Sequence, residues 1–558
     1  MRHLTRQLII LLLLPLATAC ATQPQPRPPQ AAIASAHPLA TEAGHEILAR
    51  GGNAFDAAVA VAAALAVVEP WNSGLGGGGF FLLHRARDGF EVMIDARERA
   101  PLAATRDMYL RDGRPVPALS IDGALAAGIP GTPAALVHLA KKYGKLPLKQ
   151  TLAPAIRLAR DGFPVTPAYS KILLRQHMRL TDHFPEAARV YLQEGLIPAP
   201  GDMAKQPELA QTLTRLSEKG HDGFYAGVTA KRLVQGVHAA GGIWSLKDLA
   251  EYRVIEREPV RGKYRGVRVT SASLPSSGGV VLVQILNLLQ GLDLDAMPKA
   301  RHDHTVIEAM RLAYRDRARH LGDPDFVRVD VERLLDPAYA ARLRDEMRQP
   351  EPAPASPPAR TVGEGANTTH FSIIDREGNR VAATLSLNTP FGSGFVPPGT
   401  GVVLNNEMDD FAVKPDVPNT YGLVGGDANA IAPGKRPLSS MTPTFLETDD
   451  AIVVLGTPGG SRIISMVLLA TLELAHGRGG PKEWVSLPRF HHQYLPAAVT
   501  HEARAFDADE ARALQGFGHR LEVVRGSYGN MQLVAWYKKT GRLEAASDPR
   551  GEGGARVK

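Results

Sequence analysis

The chain has a single cysteine, Cys20, in 558 residues, so no intramolecular disulfide holds it together and packing must do so. It has no dense run of lysine or arginine. Its 64 basic residues exceed the 57 acidic ones by a net charge of only +7, and none of them track a phosphate backbone, which argues against a nucleic-acid partner. Long apolar runs are missing beyond the leader. The most apolar segment, AFDAAVAVAAALAVVEP from Ala54, has about fifteen helical residues where a membrane span needs about twenty, so it reads as a buried helix capped by Asn53. No G-x-S-x-G elbow surrounds Ser276 and Ser277, which are read as helix-capping residues. His302 and His304, and the pair His491-His492, lack companions at metal-ligand spacing. A structural role is expected for them, and neither a metal nor any other cofactor. GLGGGG at 74–79 matches G-x-G-x-x-G, but a helix precedes it and a strand follows, the reverse of a dinucleotide site. It reads as a tight crossing where only glycine lets two backbones approach.

With 44% hydrophobic and 22% charged residues, the chain has the composition of an ordinary globular protein with ample core. Residues 1–19 carry a basic start, an apolar run at 8–16 and the small residues Ala17-Thr18-Ala19, the pattern of a secretory signal. Two cleavage readings stand. Ala17-x-Ala19 suits an ordinary signal peptidase, whereas the lone Cys20 suits lipid modification with cleavage before it, and the second is favoured. Either implies export to the periplasm or cell envelope, the second as an anchored lipoprotein. Residues 20–36, including TQPQPRPPQ, are expected to form an extended Pro/Gln-rich tether.

The chemistry concentrates at 367–388, NTTHFSIIDREGNRVAATLSLN. Residues 369–374 read as a strand, 375–379 as a turn and 381–387 as a returning strand. A two-residue tip at Glu377-Gly378 sets Thr368 opposite Leu387; a tip shifted by one sets it opposite Ser386. The proline-rich stretch 349–366 just before is a poor candidate for regular structure, which suits a segment ahead of a cut. LNNEMDDF follows at 404–411, PNTYGLVGGDANAIAPGKRPLSSM at 418–441 and GTPGGSRI at 456–463.

This ordered series resembles the γ-glutamyltransferase (γ-glutamyltranspeptidase) family of N-terminal-nucleophile hydrolases, from about residue 37 to the end. The resemblance implies an α+β fold, the four-layer αββα sandwich, built by two chains after self-cleavage between Asn367 and Thr368: a large subunit, 37–367, and a small catalytic subunit, 368–558. It also implies a role for each matching residue. Thr368 is the nucleophile, with Ser386 hydrogen-bonded to it, although this position is commonly Thr in the family. Gly459 and Gly460 form the oxyanion site. Glu407 and Asp410 accept the substrate's α-amine, while Arg97, Ser439 and Ser440 hold its α-carboxylate. Asn388 adds a contact, and Tyr421 belongs to a lid over 418–436. Asp409, Asp427 and Asp449 are expected to be ordinary solvated carboxylates.

A threonine hydroxyl needs a base, and in this class the base is the residue's own α-amine, freed by cleavage. With a pKa of roughly 7.7–8.0, that amine is partly neutral near pH 7. The expected donor is glutathione or another γ-glutamyl compound; the acceptor is water, an amino acid or a peptide. A glutaryl or cephalosporin acylase is the alternative enzyme, and an unprocessed envelope binding protein the alternative of another class.

Overall fold

The computed structural model describes residues 27–348 and 367–558. The signal reading over 1–19, Cys20 and the proline-rich stretch 349–366 lie outside them. Two antiparallel sheets carry the fold. One has seven strands in the spatial order Gly554–Val557, Ala32–Ser35, Thr368–Ile374, Arg380–Ser386, Gly78–Arg85, Phe90–Ala96, Ile255–Arg257. The other has six: Leu543–Ser547, Gln532–Tyr537, Ala451–Gly456, Thr444–Glu447, Val267–Ser271, Val260–Tyr264.

Alternation along the strands divides the core into three layers, as a sheet buried on both faces requires. Phe371, Ile373, Phe81 and Leu83 face helices on the outside of the first sheet, chiefly Ala54–Val68, with Pro38–Ala49 beside it and Leu148–Asp161 packed behind. Phe80, Leu82, Ile374, Ile452, Val454 and Trp536 interleave between the sheets. Val453, Leu455 and Leu533 face the helices Gly278–Leu289, Lys299–His320 and Ile463–Ala475. The order is helix, sheet, sheet, helix: the αββα sandwich. Both sheets take strands from either side of Thr368, so the two expected subunits are parts of one fold.

The helix Ala54–Val68 is buried at every residue, as its all-round apolar surface requires. Asn53 accepts from the Phe55 and Asp56 amides while the Asp56 carboxylate accepts from Asn53, a capping box that satisfies the otherwise orphaned donors. The strand Gly78–Arg85 lies flush against Arg380–Ser386 because its approach is glycine. A Cβ on Gly77 would fall 2.0 Å from the Ser386 carbonyl oxygen, and one on Gly79 2.1 Å from that of Thr384.

Two expectations need correction. Ala32–Ser35, assigned to the tether, is a fully buried strand paired with Thr368–Ile374 and Gly554–Val557, because small and apolar side chains fill the narrow space there. The hairpin register is the shifted one, with Thr368 opposite Ser386. The tip is not a two-residue loop: the Asp375 carboxylate accepts from the amides of Glu377 and Asn379 and holds a wider turn. Its other oxygen accepts from Ala54 N at 2.8 Å, pinning the turn to the start of the buried helix.

Candidate active site

The register decides the local chemistry. Thr368 and Ser386 pair directly, and their hydroxyl oxygens stand 3.0 Å apart, buried. Ser386 Oγ also donates to the Asn367 carbonyl at 3.2 Å and accepts from Asn388 N at 2.8 Å. One serine hydroxyl therefore touches the expected nucleophile and the carbonyl of the bond expected to break. Asn388 has a positive φ of 78°, a conformation that asparagine tolerates better than most residues.

A cavity of about 20 Å³ at the sheet ends is lined by Thr368, Ser386, Asn388, Arg97, Glu407, Asp410, Tyr421, Ser439, Ser440 and Gly460. The structure thus brings together residues that are more than 300 apart in sequence. Gly459 adjoins this group without lining the cavity. Gly459, with φ 145°, and Gly460, with φ 58°, form the turn before the helix Ile463–Ala475, and neither amide donates a hydrogen bond among the described residues. The helix begins at Ile463 after a 3₁₀ turn over Gly460–Arg462.

Three carboxylates converge on one buried guanidinium. Arg97 Nη1 donates to Glu407 at 2.7 Å, Nη2 donates to Asp410, and Glu98 stands 3.8 Å away. Arg97 is fixed from behind: Nε donates to the Pro437 carbonyl at 3.1 Å, and its own carbonyl accepts from Tyr252 and Arg436. Burial, opposed by Arg97 and reinforced by the neighbouring acids, holds the Glu407 carboxyl well above the usual range. Burial likewise pushes Glu98 up to about 7. Glu407 Oε1 and both Glu98 oxygens have no hydrogen-bond partner among the described residues. These unpaired carboxyl oxygens leave the site able to accept hydrogen bonds from a cationic group.

Ser439 and Ser440 are held by residues that the sequence reading assigned elsewhere. Ser277 Oγ donates to the Ser439 carbonyl at 2.7 Å, and Ser276 Oγ donates to that of Met441. Ser277 makes no side-chain cap bond to the helix it precedes, contrary to its expected role. Buried Arg317 donates to both Ser277 Oγ, at 2.9 Å, and Ser440 Oγ, at 3.1 Å. Asp409 is not solvated either. It is buried, accepts from Ser120 Oγ and Thr420 N, and its carboxyl is pushed up to about 6 by burial. Asp427 and Asp449 are exposed as expected. Tyr421 closes the cavity: its hydroxyl donates to the Asn388 carbonyl, and a Cβ on Gly460 would lie 2.6 Å from its ring.

A family model described as Gamma-glutamyltranspeptidase matches residues 40–557. The glutathione hydrolase proenzyme of Escherichia coli (strain K12) is 42% identical over 528 residues, covering 93% of this chain and 90% of that protein. The chain belongs to the γ-glutamyltranspeptidase family. The gamma-glutamyltranspeptidase structure from Helicobacter pylori aligns at 42% identity with a TM-score of 0.55, over 57% of this chain and 92% of that one. The cephalosporin acylase structure from Bacillus halodurans aligns at 29% identity with a TM-score of 0.82, over 98% of this chain and 99% of that one. Around this cavity, Glu98, Arg317 and Ser277 are the residues that sequence reasoning missed. Glu98 stood next to Arg97 in ARERAP, but nothing in a helical arginine such as Arg317 marks it as reaching a loop 123 residues away.

Proposed function

We propose that this protein is a self-processing γ-glutamyltransferase and glutathione hydrolase whose nucleophile is Thr368. The observation that carries the reading is the hydroxyl pair Thr368–Ser386 bordering a cavity that holds Arg97, Glu407 and Asp410. In the first stage Thr368 Oγ attacks the Asn367 carbonyl carbon. Ser386 Oγ, which donates to that carbonyl oxygen, polarises it. The peptide C–N bond breaks, the nitrogen takes up the hydroxyl proton, and an ester links Asn367 to Thr368. Water hydrolyses the ester and leaves Thr368 with a free α-amine.

In the second stage that amine accepts the hydroxyl proton as Thr368 Oγ attacks the γ-carbonyl of the donor. The amides of Gly459 and Gly460 face the developing oxyanion. The donor's α-ammonium is received by Glu407 and Asp410, and its α-carboxylate meets Arg97, Ser439 and Ser440. Water, an amino acid or a peptide then takes the γ-glutamyl group from Thr368.

The similarity to a cephalosporin acylase keeps a second substrate class in view. A glutaryl group has no ammonium to place on Glu407 and Asp410, so these acids favour γ-glutamyl. A comparison of γ-glutamyl and glutaryl p-nitroanilides tests this, and faster glutaryl cleavage overturns it. N-terminal sequencing of the smaller fragment should give Thr-Thr-His-Phe; a fully active sample that migrates as one intact chain would overturn self-processing. For residues 1–20 the proposal is export, with a lipid on Cys20. Among the described residues no helix is long and apolar enough to cross a membrane. Mass spectrometry of the large fragment's N-terminus tests the lipid.

A further inference from the structure

Asn367 borders a second cavity, of about 300 Å³, at the C-terminal end of the helix Ala54–Val68. Glu69, the residue that ends the helix, lines it and is buried. One Glu69 oxygen accepts from Asn72 Nδ2 at 2.8 Å; the other, Oε2, has no partner among the described residues. The same holds for Asn72 Oδ1, Tyr528 OH and His37 Nε2, which belong to the same lining. Thr369 lies near enough to favour the charged carboxylate, yet its hydroxyl makes no hydrogen bond of its own. Buried polar atoms left unpaired around a roomy polar space are where ordered water binds, and a space of this size holds on the order of ten molecules. The loop from Glu69 to Asn72 is tied to the cut: the Asn72 carbonyl accepts from Leu387 N, next to Ser386.

We infer that this cavity is the water chamber of self-cleavage and that Glu69 activates the water that hydrolyses the Asn367–Thr368 ester. The inference rests on the self-processing reading above. The water oxygen bonds to the Asn367 carbonyl carbon while one of its protons passes to Glu69. The bond from that carbon to Thr368 Oγ breaks, and the departing oxygen receives the proton back from Glu69 through the cavity water. The products are the Asn367 carboxyl group and a free Thr368 hydroxyl.

The surroundings suit a base that works near neutrality. Burial pushes the Glu69 carboxyl up to about 7, nearby Glu552 adds to the shift, and the negative end of the helix acts in the same direction. Arg550, a cation of the lining, is engaged elsewhere: it pairs with Glu502 and Asp548. His37 is held neutral by burial, with its pKa at about 4, while Lys171 and Arg175 sit on the exposed rim.

The test follows conversion of full-length chain into two fragments after cell-free synthesis, for the unaltered chain, Glu69→Gln and Glu69→Asp. Glu69→Gln should convert at least tenfold more slowly at pH 7, and its full-length band should split between Asn367 and Thr368 on addition of hydroxylamine, which cleaves esters. Glu69→Asp should fall between the two. Conversion of Glu69→Gln at the unaltered rate overturns the inference, and so does a slow full-length chain that resists hydroxylamine. Should Glu69→Gln fail to fold, the unaltered chain decides: its conversion should rise through an inflection near pH 7, with the ester accumulating on the acid side. A flat profile, or no ester, overturns the inference. If the unaltered chain never splits at this bond, the self-processing reading itself falls.

Discussion

Two cavities meet at the bond between Asn367 and Thr368, and they differ in nearly every respect. The one before Thr368 is about 20 Å³, capped by Tyr421 and lined by ions already bonded to one another. The one before Asn367 is about 300 Å³, and several of its buried polar atoms have no partner among the described residues. The first sets a cluster of ion pairs beside the Thr368 hydroxyl, and the second leaves room for water beside Asn367. A protein that must hydrolyse its own backbone once and then transfer acyl groups many times needs both environments, and keeping them on separate sides of one residue avoids conflict.

The harshest way to break this comparison is to remove the atom that the two sides share. Thr368→Ala should remain a single chain on a denaturing gel, with γ-glutamyl turnover reduced by a factor of about 10⁴ or more. Two bands from that variant would remove the basis for assigning either cavity to self-cleavage. Next comes the closed side alone. Arg97→Ala leaves Glu407, Asp410 and Glu98 without their shared cation, a change of about 3–5 kcal/mol for a buried pair, and donor KM should rise about 100-fold or more. An unchanged KM would mean that the guanidinium does not serve the donor.

Ser386 touches both stages, so its removal sharpens the division. Ser386→Ala loses the bond to the Asn367 carbonyl and should slow fragment formation by about tenfold or more, whereas Ser386→Thr, which keeps the hydroxyl, should not. A time course by gel densitometry reads the difference. The smallest effect is on stability. His370 is a buried residue of the strand that begins at Thr368, its nitrogens engaged by Thr384 and Ser372, and burial pushes its pKa down to about 3. An unfolded histidine titrates near 6.5, so between these values the unfolded chain binds more protons and stability rises with pH. Lowering the pH from 7 to 5 should therefore cost about 2 kcal/mol from this residue. Urea midpoints at the two pH values check it, and His370→Gln should narrow their separation.

Much of the closed cavity was legible because its residues sit in continuous, distinctive segments: LNNEMDDF, RPLSSM, GTPGG. The layered fold was legible only through resemblance, since periodicity distinguishes helices from strands but not which sheet a strand joins. The open cavity left no signal. Glu69 lies two residues before Trp71 and three before Asn72 in a loop with no motif, and its meaning depends on a strand nearly 300 residues later. Asp409 misled for a related reason. A run such as Met408-Asp409-Asp410 reads as solvated charge until a 3₁₀ turn over Glu407–Asp410 points its members in different directions. The hairpin register was ambiguous by one residue because an aspartate side chain, rather than the backbone, shapes the turn.

The interlacing of strands across the cut has a practical consequence. Each half made alone would display unsatisfied sheet edges where the other belongs: Ala32–Ser35 would find no partner in Thr368–Ile374 or Gly554–Val557. Co-refolding from separately purified halves should therefore compete with precipitation, whereas a chain that folds first and is severed afterwards never exposes those edges. In the self-processing proposed above, the covalent link is a temporary scaffold, needed for assembly and dispensable once the sheets have closed.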